Sequence, residues 1–479
     1  MWHHLLALAL VLAVHVAVLC RVLLNDDMSS DARAAWFFVL IGFPIIGIVV
    51  YLFLGEPWMA RSFRRRAATV WEQPIANISA MSGGMSSGLI PDRYRPVFET
   101  CASLNGCGAA IGNVASLAAD SDAAIRDMVH DFDLARETIH VSFYIWLTDN
   151  NGRLVVEALR RAAARGVTCR VVVDAFGSRD LIRSAYWAAM KQSGIKLCVS
   201  LVSSLGVSLA SISRPDLRNH RKIVVVDNSV TYCGSQNCAD PEFRIKPRFA
   251  PWIDIMLRFE GPVARQNQLV FANDWAVEYG EDLSSLASEP FPGELEGDCA
   301  AAAFGTGPMS PKGSMSDVFV SLLQSAQQEV VISTPYFVPD LQLLASLMAS
   351  ARRKVTTILI LPARNDSHVV SAISKAHYAR LLASGVKIYE YHGGLLHAKT
   401  VVVDGQLTLV GSANMDFRSL YLNFENNILF YSDKNSGDVR ARQDIYISSS
   451  TQVDEQDVKK RPRLRRIYDN LLTIVGPVF

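Results

Sequence analysis

The chain has almost no net charge. Its 47 Lys and Arg face 46 Asp and Glu, for a formal charge of +1. A chain that grips nucleic acid normally shows a clear basic excess, so this balance argues against that class. The eight cysteines include no C-x-x-C pair and no regular framework, which argues against structural zinc and against a disulfide scaffold. Cysteines scattered in this way fit a reducing compartment. Charge is scarcest near the N-terminus, and long apolar runs take its place.

LLALALVLAVHVAVLCRVLL, from Leu5, is apolar except at His15 and Arg21, and AWFFVLIGFPIIGIVVYLFLG, from Ala35, has no charge at all. Each is about the twenty residues that cross a bilayer. The short polar spacer NDDMSSDAR joins them, so residues 1–56 read as a two-helix transmembrane hairpin. A signal peptide fits less well, because there is no basic leader and a second run follows at once. Arg61, Arg64, Arg65 and Arg66 follow the second run, against Arg21 and Arg33 on the spacer side. The more basic flank is expected in the cytoplasm, which places the rest of the chain there. Residues 57–110 have poor periodicity, include the Gly/Ser-rich SAMSGGMSSG, and read as a linker.

Strand and helix patterns then alternate, and the order repeats. TIHVSFYIW, LVVEALRRAAARG, TCRVVVDAFG and IKLCVSL are answered later by EVVISTPYFV, LQLLASLMASARR, TTILILPA and GVKIYEY. The stretch NHRKIVVVDNSVTYCGSQN is answered by HAKTVVVDGQLTLVGSAN. A unit this long, present twice, is a duplicated domain rather than a solenoid repeat. The acidic, Pro- and Ser-bearing segment before residue 298 suggests domains at 111–290 and 291–479.

Each copy holds H-x-K-x4-D followed by G-S-x-N. One such run could be a solvated basic patch; two at the same spacing are hard to obtain by accident. On a strand, residues two apart share a face, so His220 lies with Lys222 and His397 with Lys399. Ser235 with Asn237, and Ser412 with Asn414, share faces on the following strands. Gly234 and Gly411 permit close backbone approach. Asp227 and Asp404 fall at odd spacing from the histidines and read as supporting residues. Paired ammonium and imidazole groups repel a metal cation but suit a phosphodiester. The lysines neutralise its oxygens and the asparagines can donate to it, while one imidazole attacks and the other moves the proton. Such a site needs no metal. A nucleophilic imidazole also needs an acceptor on its other nitrogen. Asp254 and Glu425, each downstream of one motif, are the candidates, and which histidine each serves is left open. Tyr144 and Tyr336 border the pocket or pack in the core.

These paired motifs are the signature of the phospholipase D superfamily. With the N-terminal runs, DLRNHRK, PWIDIMLRFEGPVA, TPYFVPD, RNDS, GVKIYEYHGGLLHAK and GSANMDFRSLYLNFE resemble bacterial cardiolipin synthases. The resemblance implies an α/β fold of duplicated domains, whose mixed sheets meet at one pseudo-twofold active site. It implies transfer of phosphatidyl from one phosphatidylglycerol to another with release of glycerol, through a phosphatidyl-histidine and without a cofactor. By position, His220, Lys222, Asp227, His397, Lys399 and Asp404 are the implied catalytic residues. Asn237, Asn414, Ser235 and Ser412 are the implied phosphate-binding residues. Superfamily practice suggests His220 as the nucleophile and His397 as the acid/base, a choice that the two symmetric copies leave open. The implied location is the bacterial inner membrane, with the catalytic domains cytoplasmic and anionic lipid as partner. The rivals are a hydrolytic phospholipase D and a phosphatidyltransferase with another donor or acceptor. A nuclease is disfavoured by charge, and a non-catalytic scaffold by the intact motifs. The tail VKKRPRLRRIYDNLLTIVGPVF pairs six basic residues with an apolar end, suiting an anionic lipid surface or a docked terminal helix.

Overall fold

The computed structural model describes residues 2–26, 28–56, 59, 61–71, 88–201, 216–288 and 297–474. They divide into two compact units, Met1–Arg64 with Ser203–Leu217, and Arg65–Val202 with Arg218–Phe479. The Gly/Ser-rich stretch lies outside the described residues, apart from Gly88.

In the first unit, Trp2–Leu23 is a 22-residue apolar helix, long enough to cross a membrane. The second apolar run is not one helix. It breaks at Phe43 into Ser30–Gly42 and Pro44–Leu54. Pro44 has no N–H to offer the preceding turn, and its ring crowds the carbonyl four residues back. Each piece is shorter than a full span, so among the described residues there is one helix of spanning length where the sequence suggests two. Val22, Met28, Leu40 and Tyr51 form a small core between the helices.

The second unit carries the duplicated α/β architecture. Its strands, numbered along the chain, begin with β1 (Ala110–Leu117), β2 (Thr138–Phe143), β3 (Thr168–Asp174) and β4 (Lys196–Ser200). Next come β5 (Lys222–Val226), β6 (Val230–Gly234), β7 (Trp252–Ile253) and β8 (Met256–Glu260). The second half supplies β9 (Cys299–Thr306), β10 (Glu329–Ser333), β11 (Thr356–Pro362), β12 (Lys387–Tyr391) and β13 (Leu395–Leu396). It ends with β14 (Thr400–Val403), β15 (Leu407–Gly411), β16 (Glu425–Tyr431) and β17 (Ser450–Gln452).

Fifteen strands form one mixed sheet in the order β17-β12-β11-β10-β14-β15-β16-β9-β1-β8-β6-β5-β2-β3-β4. Apart from β17, the order reads as the same half-sheet twice, mirrored about the antiparallel β1–β9 pair. The boundary expected near residue 290 is therefore bridged by the sheet itself. The strands β2–β3–β4 and β10–β11–β12 pair in parallel, and the central β3 and β11 are buried apolar runs, VVV and ILIL. Helices such as Ser121–Leu134 and Asn150–Ala164 cover them and are capped by Asp120 and Asp149. The sheet also folds over, so that Cys233 and Leu257 share a core with Val410 and Ile428. Cys233 Sγ lies 3.6 Å from the Val410 carbonyl, although their strands are several places apart in the sheet.

Part of the expected linker belongs to this unit. Arg95–Asn105 is a helix whose Val97, Phe98 and Cys101 are buried in the second half's core. Its apolar residues lie three and four apart, one helix face, a signal too short to stand out beside the polar stretch before it.

Candidate active site

The hairpins β5–β6 and β14–β15 carry the repeated motifs. Asp227 and Asn228 both have positive φ (46° and 52°), as do Asp404 and Gly405 (50° and 67°). A type I′ turn requires this, and Asp, Asn and Gly tolerate it best. The Asp227 carboxylate accepts backbone N–H bonds from Arg136, Glu137 and Thr138 at 2.8–2.9 Å. Asp404 does the same for Gln327, Gln328 and Glu329. Both aspartates thus pin the start of a neighbouring strand. They sit at the far end of β5 and β14 from the histidines, seven residues on, or about 23 Å at strand rise. The structure does not bring them to the reacting groups, which fits the supporting position inferred from strand parity rather than a place among catalytic residues.

The histidines lie just before β5 and β14, where short parallel pairings cross between the halves. β13 pairs with β7 in register Leu395–Trp252 and Leu396–Ile253, which sets His397 beside Asp254. The bridge Asn219–Phe424 sets His220 beside Glu425 in the same way. The His397 N–H donates to Ile253 O (2.8 Å) and the His220 N–H to Phe424 O (2.9 Å). His397 Nδ1 then lies 2.5 Å from Asp254 Oδ1. His220 Nδ1 lies 2.9 Å and 3.1 Å from the two Glu425 oxygens. Each imidazole is therefore held by an acid from the opposite half, the point the sequence leaves open. A carboxylate only accepts, so Nδ1 carries the proton in both rings and the lone pair is on Nε2.

The sequence reading puts Ser235 and Ser412 among the phosphate ligands. The structure gives their hydroxyls to the acids instead, Ser235 to Asp254 (2.6 Å) and Ser412 to Glu425 (2.5 Å). A buried carboxylate needs several donors, and these serines face it across an adjacent strand. Each hydroxyl also accepts a backbone N–H, from Ile255 or Asn426. The close approach leaves no room for a side chain before them. A Cβ on Gly234 would meet Ile255 O at 2.1 Å, and one on Gly411 would meet Asn426 O at 2.4 Å. Asn237 and Asn414 are buried; Asn237 Oδ1 accepts the Ile145 N–H (3.2 Å).

Lys222 and Lys399 are buried as well, and each ammonium donates to the carbonyl of its own histidine, at 2.8 Å and 2.7 Å. Burial is the largest influence on both imidazoles and takes each down to about 4, against the pull of its carboxylate. Both rings are therefore neutral at rest near pH 7. Burial also lowers Lys222 to about 8 and Lys399 to about 7. Burial alone would raise Asp254, but His397, Lys399 and Ser235 outweigh it and hold that acid at about 2. Glu425 is held below its usual range against the same burial cost by His220, Lys222 and Ser412. Lys399 depresses His220, and Lys222 depresses His397, so the two motifs share one electrostatic site.

Ser419, Asn423, Trp252 and Arg221 carry no visible sequence signal, whereas Tyr144 and Tyr336 are candidates for the pocket border from the sequence. Ser419 and Asn423 donate to Glu425 at 2.8 Å and 3.3 Å. Trp252 packs on the His397 ring at 4.6 Å, as Tyr144 does on His220 at 4.9 Å. Arg221, between His220 and Lys222, is buried against Asp274 and donates to the Glu425 carbonyl. Tyr336 donates to Asp366, which also pairs with Lys246 of the first half.

A family model described as cardiolipin synthase, PLD-like domain, matches residues 128–247 and 319–444. One described as phospholipase D-nuclease N-terminal matches residues 7–56. Cardiolipin synthase A of Edwardsiella ictaluri (strain 93-146) is 35% identical over 471 residues, covering 96% of each chain. Cardiolipin synthase A of Yersinia pestis is 35% identical over 466 residues, covering 96% of this chain and 95% of that one. Among solved structures, phosphatidylserine synthase of Haemophilus influenzae Rd KW20 gives a TM-score of 0.58 at 12% identity. That match covers 81% of this chain and 100% of the other, and it is a likeness of fold alone.

Proposed function

The chain belongs to the bacterial cardiolipin synthases of the phospholipase D superfamily, and from that premise we propose a two-step phosphatidyl transfer through a covalent histidine. One observation carries the proposal: two buried imidazoles, each fixed through Nδ1 by an acid of the opposite half, flanked by two buried lysines.

Phosphatidylglycerol is the proposed donor. Each ammonium has three N–H groups and gives one to a backbone carbonyl, leaving two for the phosphodiester oxygens. The amides of Asn237 and Asn414 add donors. The bound phosphodiester brings negative charge, which favours a proton on His397. His220, the nucleophile by superfamily practice, then attacks phosphorus through Nε2. The bond to the glycerol oxygen breaks as His397 protonates that oxygen, and glycerol leaves. Glu425 stabilises the imidazolium character of the phosphatidyl-histidine. His397, now neutral, takes the proton from a hydroxyl of a second phosphatidylglycerol. That oxygen attacks phosphorus, the P–N bond breaks, and cardiolipin forms with His397 protonated again. No step calls on a metal. Asp227 and Asp404 act by fixing the hairpins, and Ser235 and Ser412 by holding the acids.

The proposed location is the bacterial inner membrane, with both apolar segments crossing and the catalytic unit cytoplasmic. The arginines after the second segment support this side. A reporter fused after Phe479 that is active only outside the cell contradicts the orientation. The mechanism is tested by quenching enzyme with labelled phosphatidylglycerol and mapping the adduct by mass spectrometry. Label on His220 is expected, and label on His397 alone would reverse the two roles.

A further inference from the structure

The last described helix, Arg463–Ile474, is amphipathic in an unusual sense. One side holds it to the catalytic unit. Leu472 packs against Val338, Val370 and Ile373, while the buried Asp469 pairs with Arg465 one turn earlier on the same helix, at 3.1 Å. The adjoining side faces solvent with an apolar stripe. Leu464, Ile467, Tyr468, Leu471 and Ile474 are 81%, 63%, 47%, 59% and 73% exposed. Their spacing of three and four residues puts them on one helical face. Burial within the chain does not explain this stripe.

We propose that this helix is an interfacial element that lays the rim of the active site on an anionic lipid surface. Charge favours that occupant. Arg463, Arg465 and Arg466 lie on the helix, and its one acid is buried. A cationic helix with an apolar stripe and a tyrosine at its edge is the composition that lies in a headgroup layer. Placement favours it too. Leu472 belongs to the same apolar cluster as Tyr336, whose hydroxyl is tied to Asp366 and through it to Lys246. Two more exposed apolar side chains, Phe176 and Leu341, follow the C-terminal ends of β3 and β10. His220 and His397 lie at that same edge, because Lys222 pairs with Phe143 and Thr400 with Ser333. The helix, on this account, keeps the catalytic mouth against the bilayer from which both lipid substrates come. The inference rests on the lipid-substrate reading for its purpose, but not for its test.

The test uses the full chain reconstituted in vesicles. An environment-sensitive fluorophore is attached at Leu471→Cys in a Cys20→Ser background, the other seven cysteines being buried. In phosphatidylglycerol vesicles the emission is expected to shift to the blue, and Arg463→Gln with Arg466→Gln is expected to reduce the shift. In a second arm, Ile467→Glu with Leu471→Glu is expected to slow turnover of vesicle phosphatidylglycerol about tenfold. The same variant should leave turnover of monomeric short-chain phosphatidylglycerol unchanged. An unshifted emission in vesicles overturns the inference. So does a shift that appears in detergent and grows with protein concentration, which would assign the stripe to a second copy. Equal loss on both substrates also overturns it, since the stripe would then serve the fold. The fluorophore needs no turnover. A blue shift without cardiolipin synthesis would sink the proposed reaction and leave the docking helix standing.

Discussion

Replacing Glu425 with Gln removes one charge from the site at nearly constant shape. In the structure this carboxylate is fully buried and accepts from His220, Ser412, Ser419 and Asn423. The amide must turn an N–H₂ toward one of those donors, so at least one bond is lost and one donor stranded. A hydrogen bond to a charged group is worth about 1.5–3 kcal/mol. At 1.36 kcal/mol per decade this alone slows turnover about 10- to 200-fold. The carboxylate also sets the His220 tautomer and balances the imidazolium of the intermediate. Neutralising a carboxylate that orients a catalytic histidine can cost about 10⁴-fold in serine proteases. The expected loss in kcat for Glu425→Gln is therefore about 10²- to 10⁴-fold. Ser412→Ala, which removes one neutral donor from the same acid, should cost about tenfold or less. The assay is turnover of labelled phosphatidylglycerol, normalised to folded protein by thermal melting, since breaking a buried pair also costs stability. In a rapid quench, both formation and decay of the adduct should slow. A Glu425→Gln enzyme within threefold of the parent in kcat would refute the crossed support of His220.

Other outcomes follow from the same geometry. Asp254→Asn should slow proton transfer at His397, and a single-turnover experiment should show impaired glycerol release with lipid binding retained. The lysine charges are lost as pH rises through about 7 for Lys399 and about 8 for Lys222, so kcat/KM should fall on that alkaline side. The bound phosphodiester favours the charged ammoniums, so the corresponding limb of kcat should lie at higher pH. Burial takes both histidines from the ordinary imidazole value of 6.5 down to about 4 in the folded chain. Between those values the unfolded chain binds more protons, so stability should fall as pH drops from 6.5 toward 4, by about 3 kcal/mol per histidine at most. Asp404→Ala frees three strand-start N–H groups and should lower Tm by about 4 °C or more. Asp404→Asn should recover much of that, and kcat per folded enzyme should change little in either variant.

Much of the site is legible in the sequence because strand parity is strict. His220 with Lys222, and the asparagines after each turn, follow from a two-residue period. The remote place of Asp227 follows from its odd spacing. The repeat itself announces the near-mirror order of the sheet. What the sequence does not carry is which strands meet across the halves. The exchange of Glu425 and Asp254 depends on two short parallel pairings, Trp252–Ile253 with Leu395–Leu396 and Asn219 with Phe424, none long enough to leave a periodic signature. Ser235 and Ser412 illustrate the same gap. Parity says that they share a face with the asparagines but does not say that a carboxylate occupies that face. Pro44 is plainly visible in the second apolar run, yet hydropathy weighs total apolarity above one missing N–H, and so the break at Phe43 goes unread. The helix Arg95–Asn105 is obscured by the polar stretch before it.

The central claim is phosphatidyl transfer by the paired-histidine site. Its most direct test incubates purified full-length enzyme with phosphatidylglycerol labelled in its terminal glycerol, in a metal chelator, beside His220→Ala and His397→Ala. The account predicts one cardiolipin for each labelled glycerol released by the parent chain and no turnover by either variant. Phosphatidic acid as the only lipid product, or near-normal cardiolipin synthesis by either variant, would contradict it.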